Sequence, residues 1–202
     1  MLVYSVNILL SLSIVVGALA WRTNHLSSFT YEANRRASVE STPIELSDWK
    51  LQDSHGEIVR LSELSGNTLL LDFVYTRCPT ICRALGSRYQ QLQRVIEASG
   101  NEQITLLSIS IDPDYDTPEN LALYRKRYKG QEDTWLLARP IDDKALRTLI
   151  AETGLRVIPD EFGGLMHSDA IHLMEGRSLV KIDDWDSSDW ERVINSDTEF
   201  ES

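Results

Sequence analysis

Only two cysteines occur among the 202 residues, Cys78 and Cys82. A small scaffold stapled by several disulfides is therefore excluded. A four-cysteine structural zinc site is excluded with it. Basic charge is also scarce: 20 Lys and Arg stand against 31 Asp and Glu, a formal net charge of −11. Such a chain has no general electrostatic reason to hold nucleic acid or an anionic membrane surface. Internal repeats are missing, and Met1–Trp21 contains no charged side chain. What is present is ordinary for a packed domain: 42% hydrophobic and 25% charged residues, in a length that suits one domain plus an appendage.

Residues 1–21 are long and apolar enough for a membrane anchor. They read equally as a signal peptide, because Ala18-Leu19-Ala20 has the small-x-small form of a cleavage site. Arg22, Arg35 and Arg36 follow the apolar run, which by the positive-inside rule favours a cytoplasmic domain. The thiol chemistry below fits an exported domain better, at the inner membrane and facing the periplasm, or released after cleavage. Residues 22–45, rich in Ser, Thr, Asn and charge, read as a linker. The folded domain is expected over 46–196 and an acidic tail over 197–202.

Within the domain, Trp49–Gln52 and Ile58–Leu61 read as a hairpin turning at Gly56. Thr68–Tyr75 and Ile104–Ile111 are nearly continuous apolar runs, as expected of central strands covered on both faces. Between them Leu85, Tyr89, Leu92 and Ile96 recur at helical spacing, with Gly100 as the stop. Thr117-Pro118 opens a second helix, and Asp142 or Asp143 caps a third that ends at Gly154. Trp135–Ala138 is a short strand. Ala170–Met174 and Ser178–Ile182 form a closing hairpin, and Ser187 or Ser188 starts a final helix. Strand–helix alternation predicts a layered α/β domain, and the hairpins make its sheet mixed.

Cys78 falls at a strand end and Cys82 in the first turn of the helix that follows. A spacing of four lets two thiols converge on one small object. A helix N-terminus favours the thiolate, the form needed both for metal binding and for disulfide exchange. Arg77 and Arg83 add positive charge nearby. Soft sulfur selects Cu(I) or zinc, and Cu(I) accepts low coordination, so one histidine would complete a site. Of the four histidines, His25 lies in the linker, His55 in a turn and His172 inside a strand. His167 follows the loop Pro159–Met166 and precedes a strand, so it is either a ligand or a structural loop residue.

The stretch Asp72-Phe73-Val74-Tyr75-Thr76-Arg77-Cys78-Pro79-Thr80-Ile81-Cys82, then Ser110-Ile111-Asp112-Pro113 with Asp116-Thr117-Pro118, then His167-Ser168, together resemble the Sco/SenC family. The resemblance covers about residues 46–195. It implies a thioredoxin-like fold, a central mixed sheet flanked by helices, on an exported and membrane-tethered domain. It implies copper, as Cu(I) with Cu(II) as a second state, held by Cys78, Cys82 and His167. It also implies a copper metallochaperone whose partner is a copper-accepting or thiol-bearing protein, a cytochrome c oxidase subunit. Two departures stand out: Arg83 where the family often has proline, and Met166 where it often has an acid. The second removes a group that would orient or tune the histidine.

Asp72 supports a competing reading. It precedes Cys78 by six residues, an offset similar to that of the proton-accepting aspartate of thioredoxins. A buried acid there would have a raised pKa and could relay a proton for a thiol–disulfide oxidoreductase acting through the Cys78/Cys82 pair. It is otherwise a carboxyl paired with a hydroxyl or a backbone group. A thiol peroxidase is a weaker third class, disfavoured by the Cys-x-x-x-Cys spacing. The segment Asp112–Asp116 reads as turn and cap chemistry, without a metal.

Overall fold

The computed structural model describes residues 13–15, 30–64, 68–78, 81–159, 161 and 164–196, with residues 81–83 described by backbone alone. The anchor or signal reading (apart from 13–15) and the acidic tail lie outside the described residues. Among those described, no helix is long and apolar enough to cross a membrane.

Eight strands form one mixed sheet in the order β1 (Ile44–Glu45), β10 (Ser178–Asp183), β9 (Ile171–Glu175), β4 (Thr68–Val74), β5 (Ile104–Ser110), β6 (Trp135–Pro140), β2 (Lys50–Asp53), β3 (Ile58–Arg60). The two longest apolar runs take the middle, as strands covered on both faces must. In β4 every residue from Leu69 to Val74 is buried. It pairs in parallel with β5, Asp72 opposite Ser108, and antiparallel with β9, Leu71 opposite His172. The parallel block β4–β5–β6 places the β4 and β5 chain ends at one edge, where loops of α/β sheets collect functional groups.

Helix α2 (Ile81–Ser99) follows β4 and buries Leu85, Tyr89, Leu92 and Ile96, the stripe expected from their spacing. Full burial of each such side chain contributes roughly 1.5–3 kcal/mol. The Tyr89 hydroxyl donates to the Leu70 carbonyl at 2.8 Å and ties α2 to β4. Gly100, at φ +68°, ends the helix in a conformation that glycine adopts without strain. Helix α3 (Pro118–Arg127) starts on the Thr117 cap, and α4 (Asp143–Thr153) starts on Asp142 and stops at Gly154. Helix α5 (Asp189–Ser196) closes the chain against α2.

Two features differ from the sequence expectation. The linker reading of 22–45 is overturned from Thr30 onward: α1 (Tyr31–Ser41), capped by Thr30, packs on β10 and buries Arg35 and Val39, and Ile44–Glu45 joins the sheet edge. A polar composition hid an element whose inward residue is an arginine. The loop before His167 is also partly strand: β7 (Val157–Pro159) and β8 (Leu165–His167) form a separate antiparallel ladder, with Val157 opposite His167.

Candidate metal centre

The chain leaves β4 at Val74 and turns through Thr76 and Arg77 to Cys78, whose N–H donates to the Tyr75 carbonyl at 3.1 Å. Cys78 is buried, at 6% exposure, just ahead of α2. Cys82 occupies the first turn of α2, and its side chain lies outside the described residues. The turn, more than a shared helix face, therefore sets the position of Cys78 relative to Cys82.

Asp116 holds this turn in place. The side chain of this fully buried residue accepts from Thr76 N–H at 3.1 Å, from Thr76 Oγ1 at 2.5 Å and from Ser110 Oγ at 2.5 Å. Burial pushes its pKa up, against those hydrogen bonds. The segment expected to be plain turn chemistry thus clamps the cysteine loop to the end of β5. Arg77 donates to Asp112 at 2.7 Å and stacks over Tyr115, so its charge is already paired and supports a thiolate less than its sequence position suggests.

Tyr75 joins the cysteine loop to the histidine ladder. Its carbonyl holds the Cys78 N–H, its hydroxyl accepts from Leu165 N–H at 3.2 Å, and its ring meets the His167 ring edge-on at 6.2 Å. His167 Nδ1 lies 2.7 Å from the Ser168 carbonyl. A carbonyl oxygen only accepts, so in the neutral ring Nδ1 carries the hydrogen and Nε2 keeps its lone pair. Burial lowers the His167 pKa, against that hydrogen bond and the nearby Asp169, and favours the neutral form a metal needs. Met166 is exposed and pairs with Ile158, away from its neighbour.

The other histidines separate by environment. His55 is exposed beside Glu132, and His25 lies outside the described residues. His172 is fully buried, with Nε2 at 3.1 Å from Arg35 Nη1, Nδ1 at 3.3 Å from the Leu71 carbonyl, and its ring against Phe73. Burial, and then the Arg35 charge, hold its pKa down to about 3.

Asp72 is buried under α2 at 1% exposure. Neither carboxyl oxygen reaches a hydrogen-bond partner. Of the nearby hydroxyls, Tyr89 donates to the Leu70 carbonyl, and Ser108 Oγ accepts from Trp135 Nε1–H at 2.9 Å. Burial pushes the Asp72 pKa up to about 7, only partly opposed by Ser108 and Tyr89. Among the described residues, no three His, Cys, Asp or Glu groups form a metal cluster. The donor chemistry present, a buried thiol and a neutral imidazole, fits a soft metal that accepts few ligands.

The family model for SCO1/SenC matches residues 38–134. Over that stretch the chain is similar to the SCO1/SenC family. The SCO1/SenC match contains Asp72, Cys78 and Cys82, while His167 lies beyond its last matched residue. A SCO1 protein homolog of Bacillus subtilis is 23% identical over 155 residues, 75% of this chain and 80% of that protein. A SCO2-like protein of Rickettsia felis is 36% identical over 83 residues, 40% of this chain and 39% of that protein. The fold is thioredoxin-like and matches solved Sco structures. A SCO1/SenC family lipoprotein from Bacillus anthracis superposes with TM-score 0.69 at 21% identity, over 78% of this chain and 96% of that one. Yeast Sco1 with copper bound gives 0.63 at 17%, over 78% and 91%.

Proposed function

We propose that this protein is a copper metallochaperone that holds copper through Cys78, Cys82 and His167, for assembly of the copper site of a cytochrome c oxidase. The observation that carries the reading is His167: neutral, with Nδ1 bonded to the Ser168 carbonyl and its ring against the same Tyr75 whose backbone holds Cys78. Copper-bound yeast Sco1 shares this fold, and so does BsSco, a member of the Sco family of cytochrome c oxidase assembly proteins. Copper would supply a thiolate-bound, transferable ion. The chain's part is to exclude water around Cys78, keep His167 neutral and present Nε2. The proposed setting is the inner membrane, with the domain facing the periplasm and tethered by residues 1–21. The partner is a copper-accepting or thiol-bearing protein.

Copper titration of the reduced, detergent-solubilised full chain should give one ion per chain and, for Cu(II), a thiolate charge-transfer band. His167→Ala should shift that band and weaken binding. An unchanged spectrum and affinity would remove His167 from the ligand set.

A second reading, disulfide exchange with partner cysteines, is favoured by Asp72. A carboxyl that is buried, unpartnered and poised at about 7 is chemically suited to accept a proton. Mixed disulfides trapped with a Cys82→Ser variant would support it. Metal-free exchange that is unaffected by Asp72→Asn would exclude Asp72 from it.

A further inference from the structure

The residues that fix His167 come in part from a distant part of the chain. Ser168 makes two orienting bonds at once. Its carbonyl receives His167 Nδ1–H at 2.7 Å, and its hydroxyl donates to Glu32 Oε1 at 3.1 Å. The same hydroxyl accepts from Ala170 N–H at 3.4 Å, closing the turn between β8 and β9. Glu32 lies in the first turn of α1, 136 residues earlier.

Glu32 is itself held rigidly. Arg35 grips it through Nε at 2.9 Å and Nη2 at 2.7 Å, and Arg36 adds a contact at 3.3 Å. Burial alone would raise its pKa, but Arg35, Arg36 and Ser168 overcome this and hold it at about 2. Arg35 is 8% exposed and reaches the Thr153 carbonyl at 2.8 Å and His172 at 3.1 Å. Tyr31 bonds the Gly154 carbonyl at 2.9 Å. Helix α1 is thereby bolted to the end of α4 and to β9, and it offers one charged acceptor to the histidine turn. Hydrogen bonds to an ionised acceptor are stronger than neutral ones.

We infer that Glu32, acting through Ser168, is a positioning residue that sets the orientation and tautomer of His167, so that α1 belongs functionally to the metal site. The inference rests on the reading of His167 as a copper ligand. Neither Glu32 nor Ser168 is assigned to the metal, and each acts one bond further out. Loss of such an outer partner typically weakens metal affinity by about 10–100-fold.

The test uses the detergent-solubilised full chain and its Ser168→Ala, Ser168→Thr, Glu32→Ala and His167→Ala variants. Thermal unfolding establishes that each is folded. The readouts are copper affinity by competition, the Cu(II)–thiolate band, and the imidazole 15N shifts of His167 in metal-free protein. Ser168→Ala should weaken copper about tenfold or more, shift the band and mix the two ring tautomers. Ser168→Thr, which keeps the hydroxyl, should restore all three. Glu32→Ala should copy Ser168→Ala, and the double variant should add little, since the two act as one unit. If Ser168→Ala leaves affinity, band and ring shifts unchanged while His167→Ala alters copper binding, the positioning role is overturned and the ligand reading stands. If His167→Ala itself changes nothing, the ligand reading falls and the inference falls with it. Should Glu32→Ala unfold, Ser168→Ala, which deletes a single hydroxyl, still decides.

Discussion

Asp72 is where a single residue's chemistry is sharpest. Its offset of six from Cys78 marked it in the sequence, and its burial makes it a poised acid. In the folded chain it keeps its proton up to about 7, whereas the unfolded chain releases it near the ordinary value of 3.8. Its contribution to stability is therefore full below about pH 4 and is lost as pH rises to 7. Asp72→Asn, which mimics the protonated group, should be more stable than the parent at pH 8, by a margin on the order of 4 kcal/mol. The margin should shrink toward pH 4, as read from urea midpoints across that range. A margin independent of pH would contradict a buried, titrating Asp72. His167 shows the opposite limit of residue-level reading. Its position before a strand left ligand and structural roles open, and only the 2.7 Å contact to Ser168 identifies which ring nitrogen carries the hydrogen.

Among elements, those with an uninterrupted hydrophobic pattern were readable. The buried stripe of α2, the two central strands, the Thr117 and Asp142 caps and the closing hairpin all stand where their patterns place them. Helix α1 escaped because its buried face includes Arg35, which a hydrophobic pattern discards. Its Thr30 cap and the Arg35–Val39 spacing of four were the available signals. The β7–β8 ladder escaped because three-residue strands leave almost no periodicity. Packing between elements adds constraints that no single element shows. A Cβ on Gly86 of α2 would sit 2.5 Å from the buried Tyr128 ring at the end of α3. Gly86→Ala gains about 1 kcal/mol in helix propensity, but overpacking typically costs about 1–3 kcal/mol. The clash involves a ring wedged against Tyr124 and Trp135, so it should win, and the chemical-denaturation midpoint should fall.

For the whole molecule, His172 is the common joint of α1, β4 and β9, and its protonation state bears on global stability. Folded, it resists protonation down to about 3, while the unfolded chain takes up the proton near 6.5. Stability from the neutral ring is thus present above pH 6.5 and lost as pH falls toward 3. Between pH 6 and 4 this one group should steepen the loss by about 1.4 kcal/mol per pH unit. His172→Gln, which keeps a donor for Leu71 and an acceptor for Arg35, should flatten that slope in equilibrium unfolding. An identical slope would place the acid sensitivity elsewhere. The sequence by itself determined the α/β class, the paired thiols at a strand–helix junction and the candidate histidine, because each is written in local spacing and residue chemistry. Only the tertiary structure decided which groups hold them. The Asp116 clamp, the Tyr75 bridge and the Glu32–Ser168 brace join residues 40, 90 and 136 positions apart, and contacts over such separations leave no local pattern to read.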